Sequence, residues 1–253
     1  MLGLIIWVVG IAVEALLLYR ALWSRLASKY PNFYIYALSL FLADAILYFF
    51  YYSRPILYAQ WTYYAGFLVL FLGCGVILEV FRQVLSHYAG AEKLARAVSF
   101  AVFGAILVFA IAYPIWSPNR SVVPRIYIAV QRDFLFAQAL SLLALLQVIS
   151  YYRIPMGRNL KGMVLGYGQC IGVTLITRAL QTYIGSGFGG ASMIQQVSYL
   201  TALVIWLVAL WSYGPSPVPE TKIRTDADYD ALALKTRTMV SAAGAQLVKV
   251  ERL

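Results

Sequence analysis

Seven runs of mostly apolar residues, at about 2–22, 33–52, 61–83, 97–116, 127–150, 162–184 and 194–213, decide what this chain can fold into. Each is close to the ~20 residues that an α-helix needs to cross a hydrocarbon core of about 30 Å. Inside lipid a backbone must pair its own peptide groups, and barrel strands would be about half as long with alternating polarity. The expected fold is therefore all-α, a polytopic bundle of seven transmembrane helices. Composition agrees, with 62% hydrophobic residues, 12% charged and a mean hydropathy of +0.76, which do not describe a water-facing surface. The lipid bilayer is the first partner the sequence implies.

Orientation follows from where the cations fall, because cytoplasmic connections retain Lys and Arg. The first, third and fifth connections carry Arg20, Arg25, Lys29, Arg82, Lys93, Arg96, Arg153, Arg158 and Lys161, and the tail adds Lys222, Arg224, Lys235, Arg237, Lys249 and Arg252. The other connections hold only Arg54, Arg120 and Arg125, so fifteen cations face three. This predicts an N-terminus outside and a cytoplasmic C-terminus. The formal charge of +10 is thereby accounted for without a basic patch for nucleic acid, and none is expected as a partner. Trp7, Trp61 and Trp116 toward one side, with Trp23, Trp206 and Trp211 toward the other, predict two interfacial belts.

The first run starts without a basic leader or a small-residue cleavage site, so it reads as a retained helix and not a signal peptide. The transmembrane domain is taken as 1–214. A Pro-Ser-Pro-Val-Pro stretch at 215–219 opens a cytoplasmic tail, 215–253, in which Leu232, Met239, Leu247 and Val250 could line an interfacial helix; a solvated tail is the alternative. Cys74 and Cys170 lie inside apolar runs and read as small core residues. The Ala-Leu-Ser-Leu at 37–40 and 139–142 differs in spacing to the following Tyr-Tyr pair and does not establish a duplication.

Several chemistries are excluded by what is missing. The one histidine, His87, falls in the third connection, so a membrane-buried haem, zinc site or Ser-His pair has no ligand or base. Retinal proteins of this topology need a lysine in the seventh helix, and every lysine lies in a connection or the tail. No Gly-x-Gly-Asp protease motif, P-loop or Cys-x-x-Cys occurs. No catalytic residue, metal or cofactor is expected.

Ionisable groups at bilayer depth cost a few kcal/mol and require a reason. In the outer half, Asp44, Arg132, Asp133, Gln138, Arg178, Gln195 and Gln196 lie at comparable levels, near Tyr48, Tyr63, Tyr64, Tyr127 and Tyr183. This predicts an outward-facing cavity in which Arg132 and Arg178 hold an anionic or polar ligand while Asp44 and Asp133 balance them. The alternative is an ion pair from Arg178 to Asp133 or Asp44 that braces the helices, with Arg132 reaching the headgroups. Glu14 has no cation at its depth; it is either a proton or cation site or a protonated carboxyl bonded to a neighbouring helix, with Gln169, Thr174 and Thr177 as candidate partners. Glu79 and Arg82, three apart, predict a local ion pair. Gly162 with Gly166 and Gly168 with Gly172 predict close helix packing within the bundle or between protomers, and Pro114 predicts a kink.

The run Tyr30-Pro31-x-Phe33-Tyr34, the run Gly73-Cys74-Gly75-Val76-Ile77-Leu78-Glu79-Val80-Phe81-Arg82 and the following Tyr88-x-Gly90 resemble a set of uncharacterised bacterial seven-helix membrane proteins. The resemblance implies a bacterial inner-membrane location, brings no known function and transfers no site residue. Three roles stay open. One is a sensor or accessory binding subunit that signals through basic inner loops and tail to a cytoplasmic protein partner. Another is a small-solute or ion transporter or channel with Glu14 and Asp44 on the path, and the last is a structural subunit of a membrane complex.

Overall fold

The computed structural model describes residues 2–86, 103, 104, 108, 123–152, 154–184 and 190–214. Among these the regular structure is helical without strands: α1 Leu2–Ser24, a 3₁₀ turn Leu26–Ser28, α2 Pro31–Ser53, α3 Pro55–Leu85, α4 Val123–Tyr152, α5 Arg158–Ile184 and α6 Ala191–Ala209. Six of these helices are long and apolar enough to cross a membrane, which makes this a multi-pass membrane protein. The predicted segment at 97–116 and the tail at 215–253 lie, but for three residues, outside the described residues.

Prolines set two boundaries. Pro31 and Pro55 each occupy a first helical position, where a missing N–H costs nothing and the fixed φ suits the helix. The third helix therefore begins six residues before the predicted 61, and α2 passes to α3 through the single residue Arg54. At the other end α1 stops where Arg25 takes a left-handed backbone, φ 53°, which turns the chain into the 3₁₀ segment.

Packing neighbours among the described helices run α1, α2, α3, α4, α5, α6 and back to α1, with α3 also meeting α5. Thus α1 and α6, far apart in sequence, lie side by side and run in the same direction: Gly3 meets Gln196 near one end and Arg20 donates to the Trp211 carbonyl at 2.9 Å near the other. Between them and α2 sits an aromatic core. Trp206 is fully buried, edge-on to Phe33 at 5.3 Å and Tyr36 at 6.2 Å, and Tyr36 in turn meets Tyr167 at 5.6 Å. This corrects the interfacial role predicted for Trp206; its indole N–H points at the Met163 carbonyl, 3.4 Å away, and glycine lets the ring in. A Cβ on Gly166 would overlap the indole, and one on Gly162 would overlap Ala209. The Gly162 and Gly166 pair packs inside the bundle, whereas Gly172 has no neighbour within 4 Å of its Cβ position. Outside, Ile35, Leu42, Phe49, Leu68, Leu143 and Val208 are exposed, as lipid contact requires.

The end where α1 finishes is held by polar bonds. The Glu79 carboxylate on α3 accepts the backbone N–H groups of Phe33 at 2.8 Å and Asn32 at 3.4 Å, the first donors of α2 after Pro31. Asn32 Nδ2 donates to the Gly75 carbonyl at 3.3 Å and Gln83 Nε2 to the Lys29 carbonyl at 2.9 Å. Arg82 stands 4.0 Å from Glu79 with a largely exposed side chain, so the expected local pair exists but is the longer of the carboxylate's contacts. Across the same end, Asn159 accepts the Gly214 N–H at 2.7 Å and donates to the Ser212 carbonyl at 3.0 Å, fixing the chain that follows α6. Arg20 lies over Trp211, 5.0 Å from the ring centre, and Lys29 lies 5.7 Å from that of Tyr213, so two of the counted cations anchor this segment.

Candidate functional site

Three helix faces converge at the opposite end of the bundle, where α1 begins. On α1 the face is Gly3, Trp7 and Gly10, on α2 it is Leu40, Asp44, Leu47 and Tyr51, and on α6 it is Ser192, Gln195, Gln196 and Tyr199. The spacings of three and four residues place each set on one side of its helix. Together with Tyr52 and Tyr58 they surround a cavity of about 850 Å³, within the range of small-molecule sites. Its aromatic wall is continuous: Trp7 lies 5.5 Å from Tyr48 and 6.1 Å from Tyr51, and Tyr51 meets Tyr52 at 5.2 Å and Tyr58 at 5.7 Å. Gly10 is buried in the wall, and nothing lies within 4 Å of where its Cβ would be.

A second, smaller cavity of about 280 Å³ lies among α2, α3, α4, α5 and α6, lined by Tyr36, Gln131, Gln138, Tyr167, Thr174 and Ser198 with several apolar groups. Leu40, Gln195 and Tyr199 line both cavities and so stand between them. Gln195 is steadied there by donating from Nε2 to Thr177 Oγ1 at 2.7 Å. The Tyr199 hydroxyl donates to Oε1 of Glu14, which is only 2% exposed; the other oxygen of that carboxyl has no hydrogen-bond partner among the described residues.

The expected site residues divide in space. Asp44, Gln195 and Gln196 come together in the larger cavity. Arg132 and Asp133 pair with each other at 3.1 Å on α4, with side chains 70% and 39% exposed. Neither they nor Arg178, which is partly buried on α5, line either cavity. Gln138 is fully buried and bridges three helices: Nε2 donates to the Leu70 carbonyl at 3.0 Å and lies 3.3 Å from Cys74 Sγ, and Oε1 accepts from Tyr167 at 3.2 Å. Cys74 is a buried free thiol on the same network. The side chains of Tyr127 and Tyr183 lie outside the described residues.

For Glu14 the partner is Tyr199 and none of Gln169, Thr174 or Thr177; Thr174 bonds its own helix at the Cys170 carbonyl, 2.7 Å away. Tyr199 carried one readable signal, its position one turn after Gln195. What the sequence could not reveal is that α1 and α6 are neighbours. Among the described residues no three His, Cys, Asp or Glu side chains gather to hold a metal ion. The chain matches no protein-family model, no curated protein and no solved structure.

Proposed function

We propose that this chain is a membrane-embedded binding module, a sensor or accessory subunit that receives a small molecule in the larger cavity. The observation that carries this is the convergence of Asp44, Gln195 and Gln196 with an aromatic wall around about 850 Å³. In this reading the chain crosses a bacterial inner membrane seven times with 97–116 as the remaining span. The cation count, fifteen against three, supports an outer N-terminus, so the cavity faces outward and the cytoplasmic side holds the loops and tail that meet a protein partner.

A transporter is the second reading, favoured by one observation: Gln195 and Tyr199 separate two cavities, and Tyr199 holds the buried Glu14. A part as a structural subunit of a membrane complex is the third.

Native mass spectrometry of protein gently extracted from its own membranes tests the proposal. Wild type is expected to retain a small molecule that folded Asp44→Asn and Gln195→Leu variants lose. A stoichiometric protein partner with no small molecule would favour the structural subunit, and a proteoliposome flux abolished by Glu14→Gln would favour the transporter.

A further inference from the structure

Among the described residues that line the larger cavity, Asp44 supplies the one charge, and no Lys, Arg or His accompanies it. Among the described residues the smaller cavity likewise holds no cation, and its polar lining is amide, hydroxyl, phenol and thiol. Trp7, Tyr51, Tyr52, Tyr58 and Tyr199 provide five π faces or phenol edges on the larger one. The Gln195 and Gln196 amides add neutral donors and acceptors.

An anionic ligand would meet the field of Asp44 with no compensating cation, in surroundings that screen charge weakly. A neutral ligand would leave that carboxylate without a counter-charge. A cation satisfies both parts of the wall at once. It pairs with Asp44, and its polarised methyl or methylene groups lie against aromatic faces, the interaction by which cages of Trp and Tyr hold ammonium groups. Quaternary and tertiary ammonium ions suit such a wall better than metal ions, because their weak hydration shell is readily exchanged for π faces. We infer that the larger cavity binds an organic cation, an amine or quaternary ammonium compound, with Asp44 as its counter-ion. This rests on the proposed reading of the cavity as a ligand site and reverses the ligand charge expected from Arg132 and Arg178, which lie elsewhere.

The experiment is calorimetric titration of the full chain in a neutral maltoside detergent, which carries no ammonium headgroup to compete, with three probes of one shape class: benzyltrimethylammonium, benzylsulfonate and benzyl alcohol. Saturable binding is expected for the ammonium probe alone. Asp44→Asn should weaken it by about 30-fold or more, the lower end for removing one partner of a buried charge pair. Gln196→Lys, which puts a cation at an exposed lining position, should abolish it and keeps the test alive if Asp44→Asn fails to fold. Ammonium binding that ignores both substitutions would overturn the assignment. Binding of the sulfonate or the alcohol in place of the ammonium would leave a ligand site but overturn its charge class. If no probe binds, the molecule retained in native mass spectrometry decides: a basic amine or quaternary ammonium compound supports the inference, any other molecule overturns it, and an empty spectrum removes the binding reading itself.

Discussion

The Glu79 carboxylate, on α3, accepts the backbone N–H of Phe33 at 2.8 Å and thereby caps the start of α2 from a different helix. Tyr30, the residue at the cap position, makes no capping bond with its own side chain. A carboxylate there pairs the buried Phe33 donor, which would otherwise lack a partner, and meets the positive end of the α2 dipole. Glu79→Ala is expected to cost about 1.5–3 kcal/mol, the range for a hydrogen bond to a charged group. Arg82→Gln should cost under about 1 kcal/mol, because that ion pair is long and exposed on one side. Thermal unfolding of both purified variants checks this; equal losses would return the main role to the Glu79–Arg82 pair.

Tyr199 and Glu14 form the corresponding link between α6 and α1. Tyr199→Phe leaves a buried carboxyl without its donor and should destabilise by about 1–3 kcal/mol. Glu14→Gln keeps an acceptor for the same hydroxyl and should cost less. The double variant Glu14→Leu with Tyr199→Phe removes both polar ends and should recover much of the single loss. A double variant as unstable as the sum of its parts would show that the two groups do not depend on each other.

Gly10 offers a way to fill the larger cavity without disturbing the packing around it. Its Cβ position is open and its place is the cavity wall. Gly10→Leu is expected to fold with equal or higher melting temperature, since replacing a helical glycine contributes up to about 1 kcal/mol, and to lose any retained small molecule. Retention at wild-type stoichiometry would place the ligand elsewhere.

The glycines of α5 should separate by what faces them. Gly162→Ala and Gly166→Ala drive a methyl into Ala209 and Trp206 and should each cost about 1–3 kcal/mol through overpacking. Gly172→Ala meets nothing and should stabilise slightly. Unfolding midpoints of the three variants give the comparison, and a Gly172→Ala loss as large as that of Gly166→Ala would point to a partner surface on that face.

Part of the candidate site was readable one helix at a time. Asp44, Gln195 and Gln196 stood out as polar groups at similar depth, and they do meet. Arg132 and Asp133 stood out by the same criterion and instead pair with each other at an exposed position, because depth along a helix says nothing about direction around it. Trp7 reads in sequence only as an interfacial belt residue, and Tyr51, Tyr58 and Tyr199 do not read as a wall, in a chain with 20 tyrosines and six tryptophans where no single aromatic marks one.

The length of each apolar run, with Pro31 and Pro55 at two starts, was enough to determine that the chain forms membrane-crossing helices, since lipid leaves a long backbone segment few other ways to pair its peptide groups. Which helices become neighbours was decided only by the tertiary structure. In lipid the outward face and the core face are both apolar, so Leu42, which faces out, and Leu203, which is buried, look alike in sequence. The choice falls to close contacts between particular shapes, such as Trp206 against Gly166, and to single polar bonds such as Tyr199 to Glu14 and Phe33 to Glu79. These join residues far apart in the chain, and no local pattern announces them.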